Sequence, residues 1–245
     1  MSEFNIYSET FTIRASEVDQ SGKITLAAIC SIFQEVAGNN ALQLNFDITH
    51  LQKLNMTWVL SRLDINIHVL PQWRQTVVVE TWPASGDAYR AYRNYRILDG
   101  NGKELINCLS YWIVLSLETR RPVRLPELVL GMNNADIENV TPLKKSSRMR
   151  PFSQGGSQKE ILVRRSDLDM NNHVNNVRYL EWMIETIDPE DAARFTNFDI
   201  MFMREAFIDA KIVAKSRSIA PELMEFNITD DAGKLLAIAQ AKVQT

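Results

Sequence analysis

Apolar residues recur every three or four positions between about residues 24 and 44, where Ile29, Ile32, Phe33 and Val36 fall on one face. That period predicts an amphipathic helix. A second one is predicted where Val177, Leu180, Ile184 and Ile187 share a face. Residues 58–65, 76–82, 108–115 and 198–202 are instead rich in β-branched and aromatic side chains and predict strands. Asp99-Gly100-Asn101-Gly102-Lys103 reads as a hairpin turn, with Asp230-Asp231-Ala232-Gly233-Lys234 as its counterpart. Hairpin connections imply antiparallel pairing.

The two helices belong to an internal repeat. Asp169 lies 150 positions after Asp19, and Ser16, Glu17, Val18 and Ile24 then meet Ser166, Asp167, Leu168 and Val174. Further on, Asp64 meets Asp199 at an offset of 135. The shrinking offset means shorter loops in the second copy. Each copy reads as a strand, one long helix and four strands, an α+β fold with an antiparallel sheet wrapped around the helix. The reading divides the chain into residues 1–126, a linker at 127–157 and a second repeat at 158–245. The linker carries Asn133-Asn134, Pro142, Pro151 and Gly155-Gly156, with Lys144, Lys145, Arg148 and Arg150 close together.

The chemistry concentrates before the second helix. Arg165-Ser166-Asp167-Leu168-Asp169-Met170-Asn171-Asn172-His173-Val174-Asn175-Asn176 is mostly polar, and His173 is one of three histidines. A cap and a loop would account for the asparagines alone. The repeat acts as a control, because the first copy keeps Asp19 but has Ser21 and Lys23 where the second has Asn171 and His173. Backbone N–H groups at residues 172–174 are candidates to hold an oxyanion. Glu205 lies in a strand-like, largely apolar segment, so a buried carboxylate needs a partner. An ion pair with Arg204 and a catalytic role beside His173 weigh equally on this evidence. The repeat favours the second, because the first copy has Leu70 at that place. His68 reads as structural and His50 as a surface loop residue.

The net charge of −3 argues against a nucleic-acid binder. Cys30 and Cys108 sit in apolar runs and read as buried thiols of a reducing compartment. No zinc spacing, secretory signal or membrane-spanning apolar stretch is visible, so a cytoplasmic protein is expected.

The run at 165–176, with Tyr179 and Trp182 after it, resembles the signature of the acyl-ACP thioesterases. Phe33-Gln34-Glu35-Val36-Ala37, Thr57-Trp58-Val59-Leu60-Ser61-Arg62, Pro71-Gln72-Trp73 and Thr119-Arg120-Arg121-Pro122 resemble other motifs of that family. The resemblance implies a tandem hotdog fold, an acyl pocket shaped by the first repeat, and a site carried by the second. Asp169, Asn171, His173 and Glu205 fall on the family's catalytic positions. Ala206 stands where some members have a cysteine after the glutamate, so a cysteine nucleophile is absent there. The resemblance further implies a fatty acyl chain on acyl carrier protein as substrate, without metal or organic cofactor. It implies a bacterial origin, since the plant members' N-terminal extension is missing. Basic groups at Lys144, Lys145, Arg148, Arg150, Arg164 and Arg165 are candidates to steer an acidic carrier. Glu205 as base or as nucleophile stays open, as does monomer or homodimer. An acyl-CoA thioesterase, a hydroxyacyl dehydratase and a non-catalytic acyl-binding module are the competing readings.

Overall fold

The structure, a computed structural model, describes residues 6–84, 86–131, 137–144 and 149–244. The chain forms two compact units, residues 1–143 and 144–245. The first contains β1 (Tyr7–Thr12), α1 (Leu26–Gln43), α2 (Ile48–Lys53), β2 (Met56–Ile67), β3 (Thr76–Ala84), β4 (Arg90–Leu98), β5 (Glu104–Ser116), β6 (Pro122–Val123) and α3 (Glu127–Leu130). Its strands pair antiparallel in the order β1-β3-β4-β5-β2, with β6 beside β5. The second contains β7 (Ser157–Leu162), α4 (Asn176–Ile184), α5 (Pro189–Ala192), β8 (Phe195–Phe202), β9 (Lys211–Ala220), β10 (Leu223–Asp230) and β11 (Leu235–Val243). Its antiparallel order is β8-β11-β10-β9-β7.

A central helix packs on the sheet in each unit, α1 on β1 and β3, α4 on β9 and β10, and the short α2 packs on β2. This is the hotdog arrangement twice over. In α1 the expected face is buried, with Ile29, Ile32, Phe33 and Val36 all at most 4% exposed. Thr25 caps it by accepting from the Ala28 N–H. The second helix is half as long as the first, nine residues against eighteen. Its buried set is Val177, Tyr179, Leu180, Trp182 and Met183, while Ile184 and Ile187 are half-buried near its end. Pro189 follows shortly after and disfavours a helical residue before it. His50 lies in α2 rather than in a loop, bonded to the N-cap Asp47. Among the linker residues singled out above, Asn133, Asn134, Lys145 and Arg148 lie outside the described residues. Lys144 pairs with Asp199 at 2.7 Å.

Among the described residues one turn is used four times, at Asp19–Lys23, Asp99–Lys103, Asp169–His173 and Asp230–Lys234. In each, the Asp N–H donates to the fifth residue's carbonyl at 2.8–3.0 Å, and the fourth residue's N–H returns to the Asp carbonyl at 3.0–3.1 Å. The Asp Oδ1 accepts the fifth residue's N–H, at 3.2, 2.9, 3.2 and 2.8 Å. The fourth residue is left-handed, with φ of 76°, 79° and 79° at Gly22, Gly102 and Gly233. This is a three-residue hairpin loop with a bulge that wants glycine. The third copy has Asn172 there, at φ 59°.

Both units also share the lead-in to this turn. Burial tends to raise the carboxyl pKa of Glu17 and Asp167, but bonds to Arg14 and Arg164 outweigh it and hold both below the usual range. A carboxylate whose folded pKa is depressed stabilises the fold above its unfolded pKa. That contribution disappears as pH falls through the folded value. Asp167→Asn is therefore expected to flatten the acid side of the stability–pH curve, and urea melts across the carboxylate range check this. The left-handed position gives a second expectation. Asn172→Gly should raise stability by up to about 1 kcal/mol, and Asn172→Val should lower it by about 1–2 kcal/mol. Calorimetry showing Val equal to Asn would contradict the assignment of strain.

Candidate functional site

The second unit's turn carries three of the four candidate residues. Asp169 Oδ1 accepts the N–H groups of Asn171 and His173 at 2.8 and 3.2 Å. Asp19 does the same for Ser21 and Lys23 in the first unit, at 2.8 and 3.2 Å. The aspartate thus has a structural task common to both copies. Asn171 is exposed, and its side-chain amide makes no hydrogen bond to a described residue.

The fourth candidate, Glu205, was expected in a strand. It lies instead in the loop after β8, with its side chain 34% exposed. The loop is tied at both ends. The Leu236 carbonyl accepts from Met203 and Arg204 at 2.8 and 3.2 Å, and the Ala206 carbonyl accepts from Val174 at 2.9 Å. The last bond joins the loop to the turn. It brings Glu205 Oε1 to 3.4 Å from His173 Nδ1. Arg204 turns away, donating its guanidinium to the Leu235 carbonyl at 2.7 Å.

The same frame exists in the first unit. Ile24 donates to the Pro71 carbonyl at 2.9 Å, and Arg74 repeats the positive φ of Asp209. Leu70 therefore stands in the place of Glu205, and Lys23 in that of His173. The backbone is common to both units, and only the second carries the acid and the imidazole.

The N–H groups expected to hold an oxyanion are already engaged. Asn172 donates to the Asp169 carbonyl, His173 to Asp169 Oδ1 and Val174 to the Ala206 carbonyl. At the start of α4, Asn175 Oδ1 takes the Val177 N–H and the Asn175 carbonyl takes that of Arg178. The Asn176 N–H is left without an acceptor among the described residues.

Two neighbours were given no role by the sequence. Phe207 packs edge-on against His173 at 5.2 Å. Tyr179 is buried on α4, behind the loop that carries Glu205. Comparison of the repeats holds the signal for the tyrosine, because Ile29 occupies the matching place in α1. His68 pairs with Glu104 at 3.3 Å. Among the described residues no group of His, Cys, Asp and Glu is arranged to hold a metal ion, and no helix is long and apolar enough to cross a membrane.

The site therefore offers a carboxylate beside an imidazole, on a rigid turn and loop. Such a pair can move a proton to or from a bound water or substrate.

Comparison with known proteins agrees with this frame. Residues 5–131 match the acyl-ACP thioesterase N-terminal domain, and 153–244 match the acyl-ACP thioesterase C-terminal domain. A chloroplastic oleoyl-acyl carrier protein thioesterase of Coriandrum sativum is 34% identical over 201 residues, covering 75% of this chain and 54% of that protein. A second chloroplastic oleoyl-acyl carrier protein thioesterase, from Arabidopsis thaliana, is 29% identical and covers 93% of this chain and 67% of its own length. The chain thus spans about half to two thirds of the curated relatives it matches. The crystal structure of an acyl-ACP thioesterase from Bacteroides thetaiotaomicron superposes with a TM-score of 0.87 at 24% identity, covering 98% of each chain. With domain models matching both of its repeats, the chain belongs to the acyl-ACP thioesterase family.

Proposed function

We propose that this chain hydrolyses the thioester of a fatty acyl chain carried on acyl carrier protein, releasing the free acid and the carrier thiol. The observation that carries this reading is the His173–Glu205 pair at 3.4 Å, present in one repeat and replaced by Lys23 and Leu70 in the other. The activities for which the coriander and Arabidopsis relatives are named supply the substrate class.

Hydrolysis requires an activated water and a group to stabilise the oxyanion. Glu205 is the base that takes the proton from water. His173 orients that carboxylate through Nδ1. Asn171, exposed at the tip of the turn, positions the water or the thioester. Asp169 acts through the backbone, by holding the turn that presents both residues. The Asn176 N–H, at the positive end of α4, is the oxyanion donor in place of the committed groups at 172–174. None of these steps calls on a metal or an organic cofactor. Cys30 and Cys108 are buried and outside any disulfide, which supports a cytoplasmic setting.

The test is free-thiol release from palmitoyl-ACP and a shorter acyl-ACP, with the matching acyl-CoA alongside. Fast release from the ACP substrates is expected. Glu205→Gln and His173→Ala should lower turnover by about 100- to 10,000-fold while leaving the fold intact. Preference for the CoA substrates would keep the chemistry and overturn the carrier. Tight acyl binding without release would mean a binding module.

The shared turn supplies a sharper control. Asp19→Ala and Asp169→Ala each remove an acceptor of two N–H groups, so both should lose about 1–3 kcal/mol of stability. Turnover should fall only in Asp169→Ala. Equal turnover in the two variants would show that the turn does not position the site.

A further inference from the structure

The loop that carries Glu205 has a third anchor, which comes from the helix behind it. Tyr179 projects from α4 and is 2% exposed. Its hydroxyl donates to the Arg204 carbonyl at 3.4 Å. Burial is the main cause that pushes the phenol pKa upward, the nearby Ala206 backbone works the other way, and the charges of Glu205 and Asp169 add to the rise. The phenol therefore stays neutral and remains a donor. Arg204 directly precedes Glu205, so the hydroxyl holds the backbone next to the acid. The ring is held by Phe202 at 5.9 Å and Trp182 at 5.5 Å, which fixes where the hydroxyl sits.

The first repeat shows that packing alone does not call for this group. Ile29 holds the matching place in α1 and is fully buried, and the loop of the first repeat that aligns with the site loop has Leu70 instead of an acid. Burying a hydroxyl is unfavourable unless it finds a partner. The polar tooth on the helix and the acid on the loop thus occur together in one copy and are absent together from the other.

We propose that Tyr179 is a positioning residue for the hydrolysis, its hydroxyl fixing the peptide group that precedes Glu205 and so the direction of that carboxylate. This rests on the reading of Glu205 as the base.

The experiment is Tyr179→Phe, alone and in the Glu205→Gln background, assayed on acyl-ACP. The single variant should lose about 10- to 100-fold in kcat with KM nearly unchanged, the size expected of a misplaced catalytic group. A merely structural tyrosine would lower both backgrounds by the same factor. A positioning one should cost nothing further once Glu205 is gone, because the two act as a unit. If Phe lowers the melting temperature markedly, Tyr179→Ile copies the first repeat and should show the same loss of kcat. Wild-type kcat in Tyr179→Phe, beside an inactive Glu205→Gln, overturns this proposal alone, as does an equal loss in both backgrounds. Wild-type turnover in Glu205→Gln overturns the base assignment and this proposal with it.

Discussion

One carboxylate oxygen accepts two backbone N–H groups at Asp169, and the position of His173 follows from those two bonds. The chain closes three other turns in nearly the same way, two of them as hairpin loops between sheet strands. Each of those three ends in lysine, and the site turn ends in histidine. The imidazole is therefore placed by a device that the fold already uses for connectivity. A five-residue turn with an internal acceptor leaves little backbone freedom, which suits a group that must meet a partner at a fixed distance. The departure at Asn172, left-handed where the other copies have glycine, is a mild strain of the kind that collects at functional positions.

The second constraint is the bond from Val174 to the Ala206 carbonyl, which ties the turn to the loop. Its twin in the first unit, from Ile24 to Pro71, ties an equivalent frame around Lys23 and Leu70. A frame that persists where no chemistry is possible is there for the fold. The proximity of His173 and Glu205 is thus a consequence of folding, and the second repeat needed new side chains at only a few places to make use of it.

This division explains what could be read from the sequence. The Asp-anchored turns, the helix faces and the offset that pairs Leu70 with Glu205 are local or periodic signals, and they survive in the structure. Glu205 was expected in a buried strand because Met203, Phe207 and Ile208 make the segment look like a core. These three are in fact 48%, 52% and 44% exposed. Pairing of β8 with β11 stops at Phe202, where the Leu236 carbonyl takes two N–H groups in succession. A strand end of that kind is set by residues more than thirty positions away. The engagement of the N–H groups at 172–174 was hidden for a related reason. The Val174 donor is taken by a carbonyl on another element, and no local pattern announces it.

The committed donors bear on how such a site can be rigid and reactive together. N–H groups that hold the frame at 2.8–3.2 Å are not free to follow charge as it develops on a substrate. An oxyanion needs a donor that is fixed in place and still unsatisfied. The first turn of a helix provides such groups, because its leading N–H groups have no partner within the helix. In α4 the cap engages the second and third of them and leaves the first. The cap of α1 differs, since Thr25 reaches the Ala28 N–H through its side chain. Replacing threonine by asparagine at this one position moves the side-chain acceptor one residue back along the helix. In α1 the first two N–H groups have no acceptor among the described residues, so α4 closes one donor more and leaves the Asn176 N–H, the donor assigned to the oxyanion under the proposed function.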